Sequence, residues 1–245
     1  MSSKLTNKKL RVFAGPNGSG KSTLINEIRS QFNIGLYVNA DDILASFQSK
    51  SYFDYSFILK DKIIQAEWNE FVIRQKRPNS ISLTKLRISD YFMLSEAQLN
   101  GYDASIIADF FRERLLISDY NFSFETVMSH FSKIDFMRKA RANGFKVYYY
   151  FICTSDPDIN LNRVANRIKQ GGHAVDPEKI VSRYFRCLQL LSNAFLVADR
   201  AFVIDTTYGF SEVIVEKNGI DVKVLKAEVP QWVEEYLLKN LNEAA

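Results

Sequence analysis

Short apolar runs rich in β-branched and aromatic residues alternate along this chain with stretches whose apolar positions recur near the helical period. The strand-like runs are LRVFAG (10–15), GLYVN (35–39), NFSFET (121–126), FKVYYYFICT (145–154) and RAFVID (200–205). Helical spacing recurs at about 21–32, 104–117, 131–143, 156–170 and 177–197. This alternation predicts an α/β fold, a parallel five-stranded sheet flanked by helices. Asn143-Gly144 reads as a helix stop and SDPD (155–158) as a helix start.

Residues 50–103 break the rhythm, because they separate the second and third strands by far more than one helix needs. They read as a helical insertion within a single domain spanning 1–245. FILKDKIIQAEWNEFVIRQK (57–76) has helical spacing, Pro78-Asn79 interrupts it, and SLTKLRISDYFMLSEAQLNGYD (82–103) resumes with a mixed pattern. An all-helical elaboration of the core and a substrate-covering or partner-binding element both fit this segment. Further on, SEVIVEKNGIDVKVLK (211–226) places Asn218-Gly219 between two alternating runs, a β-hairpin signal. QWVEEYLLKNL after Pro230 predicts a final helix.

Composition narrows the function classes. The 245 residues are 47% hydrophobic and 24% charged, with a net charge of +4. No apolar run approaches the roughly 18 residues of a membrane span. The basic N-terminus lacks the apolar core of a secretory signal, so a cytoplasmic protein with no membrane partner is expected. Cys153 and Cys187 lack metal-type spacing and read as buried thiols. The basic residues form no block of the kind that binds nucleic acid, and an anionic small substrate fits the charge at least as well as a polymer.

Candidate chemistry begins at GPNGSGKS, Gly15 to Ser22, which has the spacing G-x-x-x-x-G-K-[ST] between a strand and a helix. Glycines there let backbone N–H groups face an anion, and the helix N-terminus adds its dipole. Gly15, Pro16, Asn17, Gly18, Ser19, Gly20, Lys21, Ser22 and Thr23 form the expected ATP cradle. Lys21 is placed to reach the β and γ phosphates, and Ser22 to ligate Mg²⁺. No guanine-specifying N-K-x-D signature appears, and the nearest second-metal carboxylate, Glu125, is followed by Thr126 and not by another acid.

Transfer to an acceptor needs a carboxylate that takes a hydroxyl proton and cations that follow the moving charge. Asp41 and Asp42, in VNADDI, follow the second strand on the carboxyl edge of the sheet, where open α/β proteins bind ligands. Asp41 is the chemical candidate and Asp42 the helix-start charge, although either could cap the helix. Glu125 and Thr126 end the third strand on the same edge. Arg163 and Arg167 lie four apart on one helix face, and Gly171-Gly172 offers a hinge for a lid. His173 fits either a phosphate contact or a cap at that break. Arg183 and Arg186 follow on the next helix.

GPNGSGKST, NADDI, FSFETVMS, RVANRIKQGGHAVDPEKIVSRYFRCLQLL and ADRAFVID, in this order, resemble the zeta toxin family of P-loop kinases over roughly 8–48 and 104–207. The resemblance implies a kinase-like P-loop domain using ATP and Mg²⁺. Well-known zeta toxins phosphorylate the sugar 3′-hydroxyl of UDP-N-acetylglucosamine and are held inactive by a small helical antitoxin. Carried over by motif, Lys21 is the P-loop lysine and Asp41 the general base. Glu125 positions substrate or metal, Arg167 touches the transferring phosphate, and Arg183 is the choice for a second such arginine. The 50–103 insertion falls where the family's substrate-side helices begin, so the acceptor pocket is expected to be remodelled. A nucleotide-binding regulatory module with little transfer activity is the alternative, and a nucleic-acid end kinase a weaker third.

Overall fold

The protein is described here from a computed structural model covering residues 8–75, 81–171 and 175–243. In chain order its elements are β1 (Lys9–Ala14), α1 (Lys21–Gln31), β2 (Leu36–Val38), α2 (Ala40–Lys50), β3 (Tyr52–Asp54), α3 (Gln65–Arg74), α4 (Ile81–Thr84), β4 (Arg87–Ser89) and β5 (Phe92–Leu94). There follow α5 (Gly101–Leu116), β6 (Phe122–Thr126), α6 (Ser132–Ala142), β7 (Lys146–Cys153), α7 (Pro157–Lys169), α8 (Pro177–Gln189), α9 (Leu191–Val197), β8 (Arg200–Asp205), β9 (Glu212–Asn218) and β10 (Asp221–Val224). The chain ends in α10 (Gln231–Val233), a π-helical turn over Glu234–Leu238, and α11 (Lys239–Glu243). Pro78, Asn79, Gly172 and His173 lie outside the described residues. Among the described residues, no helix is long and apolar enough to cross a membrane.

Two compact units divide the chain: residues 1–34 with 123–245, and residues 35–122. In the first, the strand order is β10-β9-β8-β7-β1-β6. β1 runs parallel to β7 and β7 to β8, while β9 and β10 add on antiparallel. The expected five strands are all present, with β2 belonging to the second unit. Period-two alternation puts Phe13, Tyr150 and Phe202 in register across β1, β7 and β8, where their rings stack at 4.9 and 5.1 Å. Leu24 of α1 packs with Ile152 and Ile204 against this sheet. Trp232 of α10 lies against Phe151, with ring centroids 5.9 Å apart. The expected hairpin forms, and its first strand extends the main sheet by pairing with β8. The helix expected over 177–197 divides at Leu190 into α8 and α9. The last carbonyls of α9 are covered by Lys217 Nζ, which donates to Phe195, Leu196 and Ala198 at 2.8–2.9 Å.

The second unit corrects the expectation of a helical insertion at 50–103. Within that stretch, β3, β5 and β4 form a small antiparallel sheet, and the helix expected over 57–76 is confined to α3. Three-residue strands are too short to register as a period in sequence, which is why the pattern read as mixed. Burial holds this unit together: Trp68, Phe71, Phe110 and Phe111 form a chain of ring contacts at 5.0–5.9 Å. Two of its polar groups are paired with main chain: Trp68 Nε1 donates to the Leu83 carbonyl and Tyr55 OH to that of Asp90.

Candidate functional site

The loop between β1 and α1 owes its shape to glycine. Gly15 sits at φ +147, where an added Cβ would come within 1.9 Å of the Ile152 carbonyl oxygen. Gly18, at φ +78, leaves room for the main chain of Asn160, which a Cβ would approach to 2.6 Å. Gly20 enters α1 in the left-handed region at φ 87, and no acidic side chain occupies the first turn. The helix N-terminus therefore keeps its positive end for an anion.

Lys21 is buried and folds back over the loop, donating from Nζ to the Gly15 carbonyl at 2.9 Å and the Pro16 carbonyl at 2.8 Å. Glu125, at the end of β6, brings Oε1 to 3.8 Å from Lys21 Nζ and accepts from Ser22 Oγ through Oε2 at 3.4 Å. Three residues singled out from sequence thus meet at one point. Gly15 N donates to the Thr126 carbonyl at 3.3 Å, which locks β6 beside the loop. Thr126 uses its hydroxyl locally, accepting from Met128 N at 3.1 Å. Ser22 and Thr23 are exposed at the start of α1.

The loop also has a scaffold that the motif alone did not reveal. Asn160, fully buried on α7, donates from Nδ2 to the Asn17 carbonyl at 2.6 Å, while its Oδ1 pairs with the Thr154 hydroxyl. Thr206, just past β8, donates from Oγ1 to the Ser19 carbonyl at 2.8 Å. Arg163 Nη2 donates to the carbonyls of Thr206 at 2.6 Å and Thr207 at 3.3 Å, and its Nη1 reaches the Gly18 carbonyl at 3.5 Å. The guanidinium expected on a lid is here bound to the loop and the end of β8. Arg167, on the same helix, is exposed, and Arg183 on α8 is half-buried. Asp205, also at the edge, is structural: its carboxylate accepts from Thr207 N at 2.7 Å and Trp232 Nε1 at 2.9 Å.

Asp41 belongs to the second unit, in the exposed first turn of α2. The cap of that helix is Asn39, whose side chain accepts from Asp41 N at 2.9 Å. Neither Asp41 nor Asp42 is therefore taken up by N-capping, and both complement the helix dipole. The thiols of Cys153 and Cys187 are buried, as read from sequence.

The residues present fit a triphosphate with Mg²⁺. Asn17 Oδ1 and Ser19 Oγ are buried in the loop without a hydrogen-bond partner, and Lys21 Nζ rests only on carbonyls and one carboxylate. Mg²⁺ needs few protein ligands, since it keeps waters and takes phosphate oxygens, so the Ser22 hydroxyl beside Glu125 is an adequate protein share.

The chain matches no protein-family model. An uncharacterised protein of Haemophilus influenzae is 36% identical over 63 residues, 26% of this chain and 45% of that protein. A chain of the AvrRxo1-ORF1:AvrRxo1-ORF2 complex with sulphate ions superposes with a TM-score of 0.59 at 16% identity, covering 90% of this chain and 62% of its own. The same complex with ATP gives 0.58 at 16% identity, covering 90% and 61%. A chain of the PezAT chromosomal toxin–antitoxin system of Streptococcus pneumoniae gives 0.53 at 15% identity, covering 99% of this chain and 88% of its own. The chain thus spans less than half of the Haemophilus protein and less than two thirds of the AvrRxo1 chain, and it shares the fold of the solved chains. That fold is an α/β architecture, a largely parallel sheet flanked by helices, as the sequence led us to expect.

Proposed function

We propose that this protein is an ATP-dependent phosphotransferase of zeta toxin type, passing the γ-phosphoryl group to a hydroxyl of a small acceptor. A UDP-N-acetyl sugar is the acceptor that the sequence resemblance points to. The observation that carries the reading is the meeting of Lys21, Ser22 and Glu125 at a glycine-built loop in front of a helix N-terminus. A fold neighbour solved with ATP, and another from a toxin–antitoxin system, support ATP as donor and a small antitoxin as partner.

In this reading Lys21 exchanges the Gly15 and Pro16 carbonyls for phosphate oxygens, and the loop N–H groups hold the rest of the triphosphate. Mg²⁺, held at Ser22 with Glu125 beside it, offsets phosphate charge when bound. Asp41 accepts the acceptor's hydroxyl proton as that oxygen bonds to the γ-phosphorus and the bond to the departing ADP breaks. Arg167 follows the moving charge, while Thr126 and Arg183 serve the acceptor side. Arg163 acts beneath the loop, through Gly18 and Thr206. A cytoplasmic setting, where ATP and nucleotide sugars are supplied, goes with this reading.

The test is incubation with γ-labelled ATP and a panel of UDP-sugars, nucleosides and oligonucleotides. Label in a small acceptor is expected, and its loss in Lys21→Ala. Firm ATP binding with no labelled product in any arm would leave a nucleotide-binding module and overturn the transfer reading.

A further inference from the structure

β10 forms one edge of the sheet in the first unit, and all of its residues are exposed. Ile220, just before it, is 95% exposed, and Val222 and Val224 are 43% and 45% exposed. The direction of its main-chain groups follows from Leu225, whose N–H donates to the Ile214 carbonyl at 2.8 Å, toward β9. Antiparallel ladders alternate residue by residue, so Asp221 and Lys223 also turn their main-chain groups toward β9. Val222 and Val224 turn theirs outward, while Ile220 lies in the turn between β9 and β10. An edge of this kind is a template for another strand.

A lone charge commonly guards such an edge, and Lys223 is placed to do so. The run Ile220-Asp221-Val222-Lys223-Val224, however, is complementary to itself about Val222. Antiparallel pairing of two such strands centred there sets Val222 against Val222 and Asp221 against Lys223, and brings Val224 to the turn that carries the second copy's exposed Ile220. The outward-facing Val222 then meets its own counterpart, and Asp221 and Lys223 each meet the opposite charge. Registers centred on Asp221 or Lys223 set like charges together and need main-chain groups already turned to β9.

We propose that β10 is a dimer interface whose partner is β10 of a second copy of this chain, paired antiparallel across a two-fold axis so that the sheet continues between subunits. The main-chain N–H and C=O of Val222 exchange hydrogen bonds with those of the second copy's Val222. Val222 and Val224 lie on one face, opposite buried Lys217 and buried Val215. The Asp221–Lys223 pairs lie on the other face, where Glu216 stands opposite Lys223. So short an edge makes a small interface, and the dimer is expected to depend on protein concentration.

Sedimentation equilibrium of the full chain over a wide concentration range tests this. The parent is expected to show a monomer–dimer equilibrium. Lys223→Asp sets aspartates together twice in each dimer and should raise the dissociation constant about tenfold or more. The double variant Asp221→Lys with Lys223→Asp restores complementarity and should recover the parent's constant, an outcome that damage to the fold would not give. Val222→Pro removes an outward N–H and no bond to β9, so it should abolish the dimer while leaving the circular dichroism unchanged. A parent that is monomeric at every concentration, or a dimer indifferent to Lys223→Asp, overturns the proposal, including where a foreign strand is the true occupant.

Discussion

Asn160 Nδ2 donates to the main-chain carbonyl of Asn17 at 2.6 Å, so α7 holds the floor of the glycine loop before α1 through one buried amide. Its other end pairs with the Thr154 hydroxyl, and truncation leaves both the carbonyl and the hydroxyl without that partner. Asn160→Ala should cost about 1–3 kcal/mol. Urea unfolding would show a lower midpoint at unchanged slope, and a parent-like midpoint would mean the tie contributes nothing.

Two glycines at positive φ, one in the loop and one outside it, separate space from strain. At Gly15 a Cβ meets main-chain atoms of β7 that cannot yield, at 1.9 Å, and Gly15→Ala should cost roughly 3 kcal/mol or more. At Gly209, outside the loop, φ is +90 but nothing lies within 4 Å, so Gly209→Ala meets strain alone and should cost about 1 kcal/mol. Equal losses at the two positions, measured by chemical unfolding, would contradict the account.

Arg163 and Arg167 share a helix but should fail differently. Arg163→Ala strips hydrogen bonds from Gly18, Thr206 and Thr207 and should lower both stability, by about 1–3 kcal/mol, and ATP affinity. Arg167 is exposed, so Arg167→Ala should stay within about 0.5 kcal/mol of the parent in unfolding. Under the proposed reaction it should lower kcat about 10²- to 10³-fold. A stability loss at Arg167 with unchanged kcat would reverse the two roles.

Asp41 and Asn39 can be told apart in the same way. Asn39 caps α2, and Asn39→Ala should cost about 1 kcal/mol of stability. Asp41→Asn keeps the cap and should lower transfer about 10²- to 10⁴-fold with ATP binding retained. Undiminished turnover in Asp41→Asn would remove it as the base.

Burial makes this protein sensitive to alkali. It pushes the Cys187 thiol above its ordinary 9.0 up to about 12, and raises Cys153 and Tyr149 as well. Unfolded, these groups lose their protons near their ordinary values while the folded chain still holds them. Their contribution to stability is therefore full below those values and is lost as pH rises, at up to about 1.4 kcal/mol per pH unit for each thiol. Lys217, lowered by burial, acts oppositely, because the unfolded chain keeps that proton longer. Urea midpoints should be flat from about pH 7 to 8 and fall above about pH 9. Neither thiol should react with a thiol reagent in the native state, and a midpoint that climbs between about pH 8 and 10 would contradict the balance.

The sequence by itself determined the parallel strands, most of the helices, the hairpin and the glycine loop before α1, because each depends on local requirements. Period-two and helical spacing mark the sheet and its helices, and glycine at positive φ marks the loop. Glu125 was legible too, since a strand end in an open α/β sheet lies on the ligand edge. Only the tertiary structure decided that Asn160, Thr206 and Arg163 build the underside of the loop, since those contacts join residues more than a hundred and forty positions apart. It also decided that 50–103 contains a small sheet, whose strands are too short to show a period and are held by pairing and by the aromatic core of their own unit. Spacing of four placed Arg163 and Arg167 on one face of α7; what each guanidinium touches depends on where β1 and β8 end, and that is a property of the fold and not of the helix.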